Sequence, residues 1–531
     1  MKKIQYLLFA ALACCFSCGV STSTSTQSGT AAAGATATYT NPVLPGDYAD
    51  PSVVRVGDEY WATATSSEWA PLFPILHSKN LVDWETVGHV FPRQGPAWAD
   101  AHYWAPEISY EKGKFYIYYT ARKKGGNLCV GVASATKATG PYTDHGALVC
   151  QEVGSIDGFP VRDEKGDLYL VWKEDGNSRR LPTPIWGQRM NEERTALVGE
   201  KFELFRNDPN TWEGGLVEGP AFVKRGDYFY IFYAGDACCG RSCTYGVGVA
   251  RSKSIRGPWE KFAGNPIMQK NDEWKCPGHG TVVTDKQGRD FFLYHAYNTK
   301  TTVYPGRQGL LDQVNWGADN WPHFSNRSPA ITAKVPAGQN EPDVLDVQDE
   351  FTASSLAPSW QWSVEQQPDF TLQTGSGGRL ILPASPDKIG TLVGQRTKTA
   401  AYTASAALFQ HSLPAGTRAG LAAIGDPANA IGIAVDQGEV LLWEVKGNKM
   451  NTVARTPAPK TERIFFRVTT ANAEKLQFAW SPDGNTWNSL GEPVAAAYLP
   501  PWDRGVRVGL TAKGPATATA AFDWFKLVHE G

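Results

Sequence analysis

Five ionisable side chains recur at one place in a repeated pattern. Asp50 (in YADPS), Glu107 (WAPEI), Asp157 (SIDGFP), Glu218 (VEGPA) and His279 (GHGTV) each stand six to nine residues before a glycine-led turn, at Gly57, Gly113, Gly166, Gly226 and Gly288. If equivalent positions of the repeats converge, several carboxylates meet in one pocket. Like charges there raise one another's pKa, an arrangement from which a purely structural core gains nothing. Convergent carboxyl groups are what glycosidic-bond hydrolysis needs. One acid protonates the leaving oxygen, a second carboxylate activates water or attacks the anomeric carbon, and a third can hold up the pKa of the first. Aspartic-type proteolysis needs two Asp sharing one proton, and no such pair is evident. Taken singly, an Asp beside a Pro is most often a turn or capping residue, so the set carries the inference.

The elements that would position these groups follow from the same repeat. Gly57-Asp58-Glu59-Tyr60-Trp61, Gly113-Lys114-Phe115-Tyr116-Ile117, Gly166-Asp167-Leu168-Tyr169-Leu170, Gly226-Asp227-Tyr228-Phe229-Tyr230 and Gly288-Arg289-Asp290-Phe291-Phe292 each pair a polar turn with aromatic or β-branched strand residues. Their glycines are 56, 53, 60 and 62 residues apart, about one four-stranded unit with loops. Such a unit cannot bury its faces alone, and radial stacking solves that problem. The pattern predicts an all-β fold, a five-bladed β-propeller with the ionisable groups on the innermost strands, followed by a β-sandwich domain. A large sandwich with regular hairpins is the alternative. No segment has a strong helical period, and 53 Gly with 35 Pro agree with frequent turns.

A chain of 531 residues favours two or more domains. Its 51 basic and 53 acidic side chains give a net charge of −2, no field for phosphate backbones or anionic lipid, so nucleic acid is excluded as an expected partner. Aromatics at 12% and charged residues at 20% fit neither a disordered chain nor a coiled coil. Lys2 and Lys3 precede an apolar run from Ile4 to Ala13, of a length for a secretory signal rather than a membrane span. Cys14, Cys15 and Cys18 follow, as at the acylation site of a bacterial lipoprotein. Residues 1–19 are therefore expected to be a lipoprotein signal and 20–38 a flexible linker. The protein is expected to be exported, periplasmic or at the cell surface, and to touch membrane only through an N-terminal lipid anchor. Six further cysteines, Cys129, Cys150, Cys238, Cys239, Cys243 and Cys276, suggest disulfides whose pairing stays open. The cluster at 238–243 lacks the second pair that a zinc site needs.

The segments YADPSVVRVGDEYW, HYWAPEISYEKGKFYIYY, GSIDGFPVRDEKGDLYLVWK, VEGPAFVKRGDYFYIFYAG and GHGTVVTDKQGRDFFLYHAY resemble glycoside hydrolase family 43, in that family's order, over roughly residues 40–325. The resemblance implies a five-bladed propeller, here residues 39–335, of inverting and mostly exo-acting enzymes. It makes Asp50 the general base, Glu218 the general acid and Asp157 the modulator of the acid's pKa. Inversion would require the first two to stand about 6.5–9.5 Å apart to admit a water. It makes His279 the channel histidine, which in some members lies near a calcium ion; a metal-free hydrogen-bonded histidine is the alternative, since calcium prefers oxygen. Arg307, in PGRQGLLDQVNW, resembles an arginine held against the sugar, with a surface-loop role as the alternative. Trp104 and Trp98 are candidates for stacking on sugar faces or for the core. A structural hydrogen-bonding role is expected for Glu107. No cofactor is required for the chemistry, and one structural calcium is the sole candidate metal.

Residues 345–531 alternate short strands such as LILPA, LVGQRT, VLLWEV and FFRVTT with turns, which predicts the sandwich. DEFTASSLAPSWQWSV resembles the start of the concanavalin-like C-terminal domain of β-xylosidase-type members, which can lend a loop to close the pocket. An independent carbohydrate-binding module is the rival. The expected function is release of a terminal pentose, α-L-arabinofuranose or β-D-xylose, from plant polysaccharide or its oligosaccharides. The alternatives are a non-catalytic glycan-binding lipoprotein and a galactan- or arabinan-directed member. Retention of Asp50, Asp157 and Glu218 together favours the enzyme.

Overall fold

The five repeat glycines adopt a left-handed backbone, with φ between 56° and 89°, and a Cβ at each would meet nothing. Conformation rather than space therefore requires them. In three cases the turn has two residues, since Val56 pairs with Glu59, Glu111 with Lys114 and Arg225 with Tyr228. Such turns match the twist of the flanking strands and start each hairpin in register.

The computed structural model describes residues 37–301, 303–337, 344–375 and 377–530, so the expected signal, acylation cysteines and nearly all of the linker lie outside the described residues. Each hairpin opens a four-stranded antiparallel sheet whose strands follow chain order. The five first strands are Ser52–Val56, Ala99–Glu111, Ser155–Arg162, Val217–Arg225 and Trp274–Thr284. Each first strand packs against the first strand of the next sheet, and that of the fifth returns to that of the first, closing a ring.

Apolar residues alternate to both faces of the sheets, so each neighbouring pair shares a core. Ile75 meets Ile117 and Tyr119 between the first and second sheets, Val130 meets Leu170 between the second and third, and Val171 meets Ile231 between the third and fourth. Phe232 meets Phe292 between the fourth and fifth, and Val53 and Tyr60 meet Leu293 and Leu311 where the fifth meets the first. The short strand Thr38–Thr40 pairs with Thr332–Lys334, so the start and end of this region are tied beside that last seam. There the Tyr39 hydroxyl donates to the Leu311 carbonyl at 2.7 Å.

The remaining chain forms a nine-stranded and a six-stranded antiparallel sheet. Tyr402, Ala404 and Phe466 of the first and Leu421, Ile433 and Leu442 of the second enter one common core. Trp362–Ser363 pairs with Trp69–Ala70 and bridges the two regions. No α-helix occurs among the described residues. The six cysteines are all paired, as Cys129–Cys150, Cys238–Cys239 and Cys243–Cys276.

Tyr39 is 2% exposed and joins both ends of the ring. Tyr39→Ala is expected to lower unfolding free energy by about 3 kcal/mol in urea titration, and Thr40→Ala, an exposed neighbour, by less than about 0.5 kcal/mol.

Candidate active site

The inner strands are irregular where they carry the ionisable groups. Pairing with the second strand shifts between Ile156 and Phe159, between Glu218 and Ala221, and twice between Lys275 and Gly280. Bulges of this kind turn a side chain out of the regular alternation and aim it along the ring axis. Asp157 and His279 accordingly have positive φ, at 59° and 32°, while Asp50, two residues before the regularly paired first inner strand, has φ 50°. Beside Glu218 the same task falls to Gly219, φ 61°, where a Cβ would lie 2.8 Å from the His279 ring. Only glycine meets both the conformation and the contact.

Asp50, Asp157, Glu218, His279, Arg307 and Trp104 line one cavity of about 440 Å³. Each of the three carboxylates is 7% exposed. His279 stands between two of them, its Nδ1 3.6 Å from Asp50 Oδ1 and 3.8 Å from Asp157 Oδ2. Asp157 Oδ2 in turn accepts the Gly219 backbone N–H at 2.9 Å, which links it to the residue after Glu218. Glu107 lies outside the cavity and accepts from Thr281 Oγ1 at 3.0 Å, with burial pushing its pKa to about 8. Trp98 corrects a sequence expectation. It does not line the cavity but stacks on Tyr119, ring centroids 6.0 Å apart, in the slot left by the missing side chain of Gly131.

Each carboxylate has a different electrostatic setting. Burial would raise Asp50, but Arg307 in direct contact, helped by His279, holds it well below the ordinary carboxylate range. Arg307 Nη1 donates to Asp50 Oδ1 at 2.9 Å and Thr65 Oγ1 to Oδ2 at 2.7 Å. Arg307 therefore lines the cavity as the ion-pair partner of Asp50. Fully buried His295, its pKa lowered to about 4 by burial and by Arg307, is neutral and accepts the Asp50 backbone N–H on Nδ1 at 3.0 Å.

Glu218 is also buried, yet its carboxyl is held down. Lys173 Nζ donates to its Oε2 at 2.8 Å and the Tyr245 hydroxyl to its Oε1 at 2.8 Å, and these contacts outweigh desolvation. Asp157 has no such cation bonded to it. Burial first, then repulsion from Glu218 and Asp50, push it up to about 6 against the pull of His279 and Lys173. In the free protein the raised carboxyl is thus Asp157, whereas the resemblance to family 43 placed the proton on Glu218.

The rim comes from the second region. Trp502, 59% exposed, and Asp503 line the cavity, and Trp502 meets Trp104 edge to face with centroids 5.9 Å apart. The Asp503 carbonyl accepts from Arg307 Nη2 at 3.1 Å. Behind it, Asp47 Oδ2 accepts from the Gly505 N–H at 3.0 Å and from Arg507 at 3.1 Å, fastening this segment next to Asp50. Lys173, Tyr245 and His295 escaped the sequence reading. Each is a polar residue within an otherwise apolar strand or strand edge, in YLVWK, CTYGVG and LYHAY, a signal that was available. Trp502 carried no local signal.

Around His279 the protein itself offers few free oxygens, so a calcium ion there would take most of its six to eight ligands from water. The nearest carboxylate oxygens already bond Arg307 and the Gly219 N–H, and among the described residues no group of three or more His, Cys, Asp or Glu is arranged to hold a metal.

Comparison with known proteins identifies the family. Residues 39–322 match the model for glycosyl hydrolases family 43, and residues 348–528 match the beta xylosidase C-terminal concanavalin A-like domain. The chain is 25% identical to a non-reducing end alpha-L-arabinofuranosidase of Bacteroides ovatus, over 92% of this chain and 94% of that protein. It is 28% identical to a xylosidase/arabinosidase of Humicola insolens over 64% of this chain, a match that spans 65% of that relative's length. A family 43 protein of Bacillus licheniformis superposes with a TM-score of 0.82 at 26% identity, covering 93% of this chain and all of that one. The model match extends over more than half of the residues, and the chain belongs to glycosyl hydrolase family 43.

Proposed function

We propose that this protein is an exo-acting, inverting glycoside hydrolase that releases a terminal pentose, arabinofuranose or xylose, from plant polysaccharide or its oligosaccharides. The observation that carries the proposal is a cavity holding three carboxylates with separate partners, rimmed by Trp502 and Asp503 of the second region. A rim on one side of the sugar limits the site to chain ends. The five sheets act as blades of a propeller with the cavity on its axis, and the two larger sheets form a sandwich that supplies the rim. The names of the Bacteroides and Humicola relatives favour a pentose. Three disulfides among the described residues support the exported, oxidising location expected of a lipoprotein.

In this mechanism Asp50, kept ionised by Arg307, orients and deprotonates a water below the anomeric carbon. Glu218 protonates the leaving oxygen. The Lys173 charge holds Glu218 ionised in the free site, so a bound sugar that draws Lys173 away lets Glu218 carry a proton. Lys173 has other acceptors ready in Asp175 Oδ1 at 2.8 Å and Asn177 Oδ1 at 2.6 Å. Asp157 opposes ionisation of Glu218 by repulsion and fixes Gly219. Each of these roles is assigned to a side chain.

Glu218→Gln tests the assignment of the acid. A nitrophenolate needs little protonation to leave and a sugar alkoxide needs much. Turnover is therefore expected to fall about 10³-fold on a pentose disaccharide but only about tenfold on the nitrophenyl pentoside. Equal losses would contradict the role, and absence of wild-type hydrolysis on arabinofuranosides and xylosides would leave a glycan-binding protein.

Lys173→Met removes the cation that lowers Glu218. The alkaline limb of kcat/KM reports the acid, so it is expected to move to higher pH. A limb that stays or moves down refutes the coupling.

A further inference from the structure

Cys238 and Cys239, bonded to each other, both line the cavity. A disulfide stabilises mainly by restricting the unfolded chain, and the gain grows with the length of loop enclosed. Cys129–Cys150 spans 21 positions and Cys243–Cys276 spans 33, whereas Cys238–Cys239 spans 1 and encloses no loop. Stability gives no reason for this bond, which directs attention to what its surface touches.

Its place is defined by the strands beside it. The loop leaves the fourth sheet at Gly235, the partner of Val217, one residue before Glu218. The disulfide therefore stands on the Glu218 side of the cavity. The loop is also held from several directions. Cys243 is tied to Cys276 in the strand of His279, Arg241 pairs with Glu474 at 2.7 Å and donates to the Ala497 carbonyl at 3.0 Å, and the Gly240 N–H donates to Tyr297 at 3.3 Å. Both cysteines remain half-buried. The result is a rigid, polarisable, apolar surface that loses no rotamer freedom when a ligand covers it.

We propose that the Cys238–Cys239 disulfide is a sugar-binding wall on the leaving-group side, packing against the C–H face of the sugar that departs. This rests on the glycosidase reading, in which Glu218 faces the leaving oxygen. The wall makes the site favour a saccharide over a small alcohol as leaving group.

The test uses full-length protein carrying Glu218→Gln, so that ligand is bound and not consumed. Calorimetric Kd is measured for xylobiose, arabinobiose and the free pentoses, with and without the double change Cys238→Ala and Cys239→Ala. Disaccharide binding is expected to weaken about tenfold while free pentose changes by less than about twofold. An unchanged disaccharide Kd overturns the proposal. Should the double variant not fold, the native disulfide is probed instead, by following its phosphine reduction through alkylation and peptide mass spectrometry. Saturating disaccharide is expected to slow that reduction at least about fivefold, and an equal rate with and without sugar overturns the proposal. Wild-type hydrolysis is assayed in parallel. Weakened binding without any wild-type hydrolysis would sustain the wall and defeat the glycosidase reading.

Discussion

Three carboxylates buried around one cavity would repel one another and resist desolvation, so the site can exist only if buried cations share it. Arg307 answers Asp50 and Lys173 answers Glu218, each in direct contact. Removing one partner of a buried pair typically costs about 3–5 kcal/mol, because the other charge is left uncompensated. The site is thus held by paired charges rather than by a tolerant apolar lining. Asp157, with His279 and Lys173 near but neither bonded to it, absorbs the residual repulsion and carries the raised pKa.

These pairings in turn depend on the ring and on the second region. Lys173 reaches Glu218 from the neighbouring sheet, and Arg307 reaches Asp50 from the fifth sheet across the closing seam. Arg307 is steadied by the Asp503 carbonyl, while Asp47 gathers Gly505 and Arg507 three residues before Asp50. The second region therefore shapes the cavity as well as covering it. A change at Asp47 or Arg507 would reach Asp50 through Arg307.

Much of this was legible in the residues and some was not. The glycine-led turns marked hairpins because a left-handed backbone leaves a local trace in sequence. The ionisable residue before each turn marked an inner strand, and four of the five reach the cavity. Glu107 does not, since position within a repeat shows which strand a residue occupies but not where a bulge aims it. Trp98 stayed open between sugar stacking and the core, because aromatic content says nothing of the slot at Gly131 that receives it. Lys173 was present in a quoted motif, and a lysine in a strand buried on both faces should have been read as paired. Trp502 lies about four hundred residues from Trp104, a contact that only the packing of two regions creates. The disulfide pairs were likewise invisible, since the six cysteines allow fifteen pairings.

In the free protein the three carboxyls are electrostatically distinct. Carbon-13 NMR titration of labelled Asp and Glu side chains, assigned by single Asn or Gln substitutions, measures this directly. Asp157 is expected to titrate near pH 6 while Asp50 and Glu218 stay ionised to below the ordinary carboxylate range. Glu218 titrating above Asp157, or Asp50 titrating as an ordinary aspartate, would contradict it.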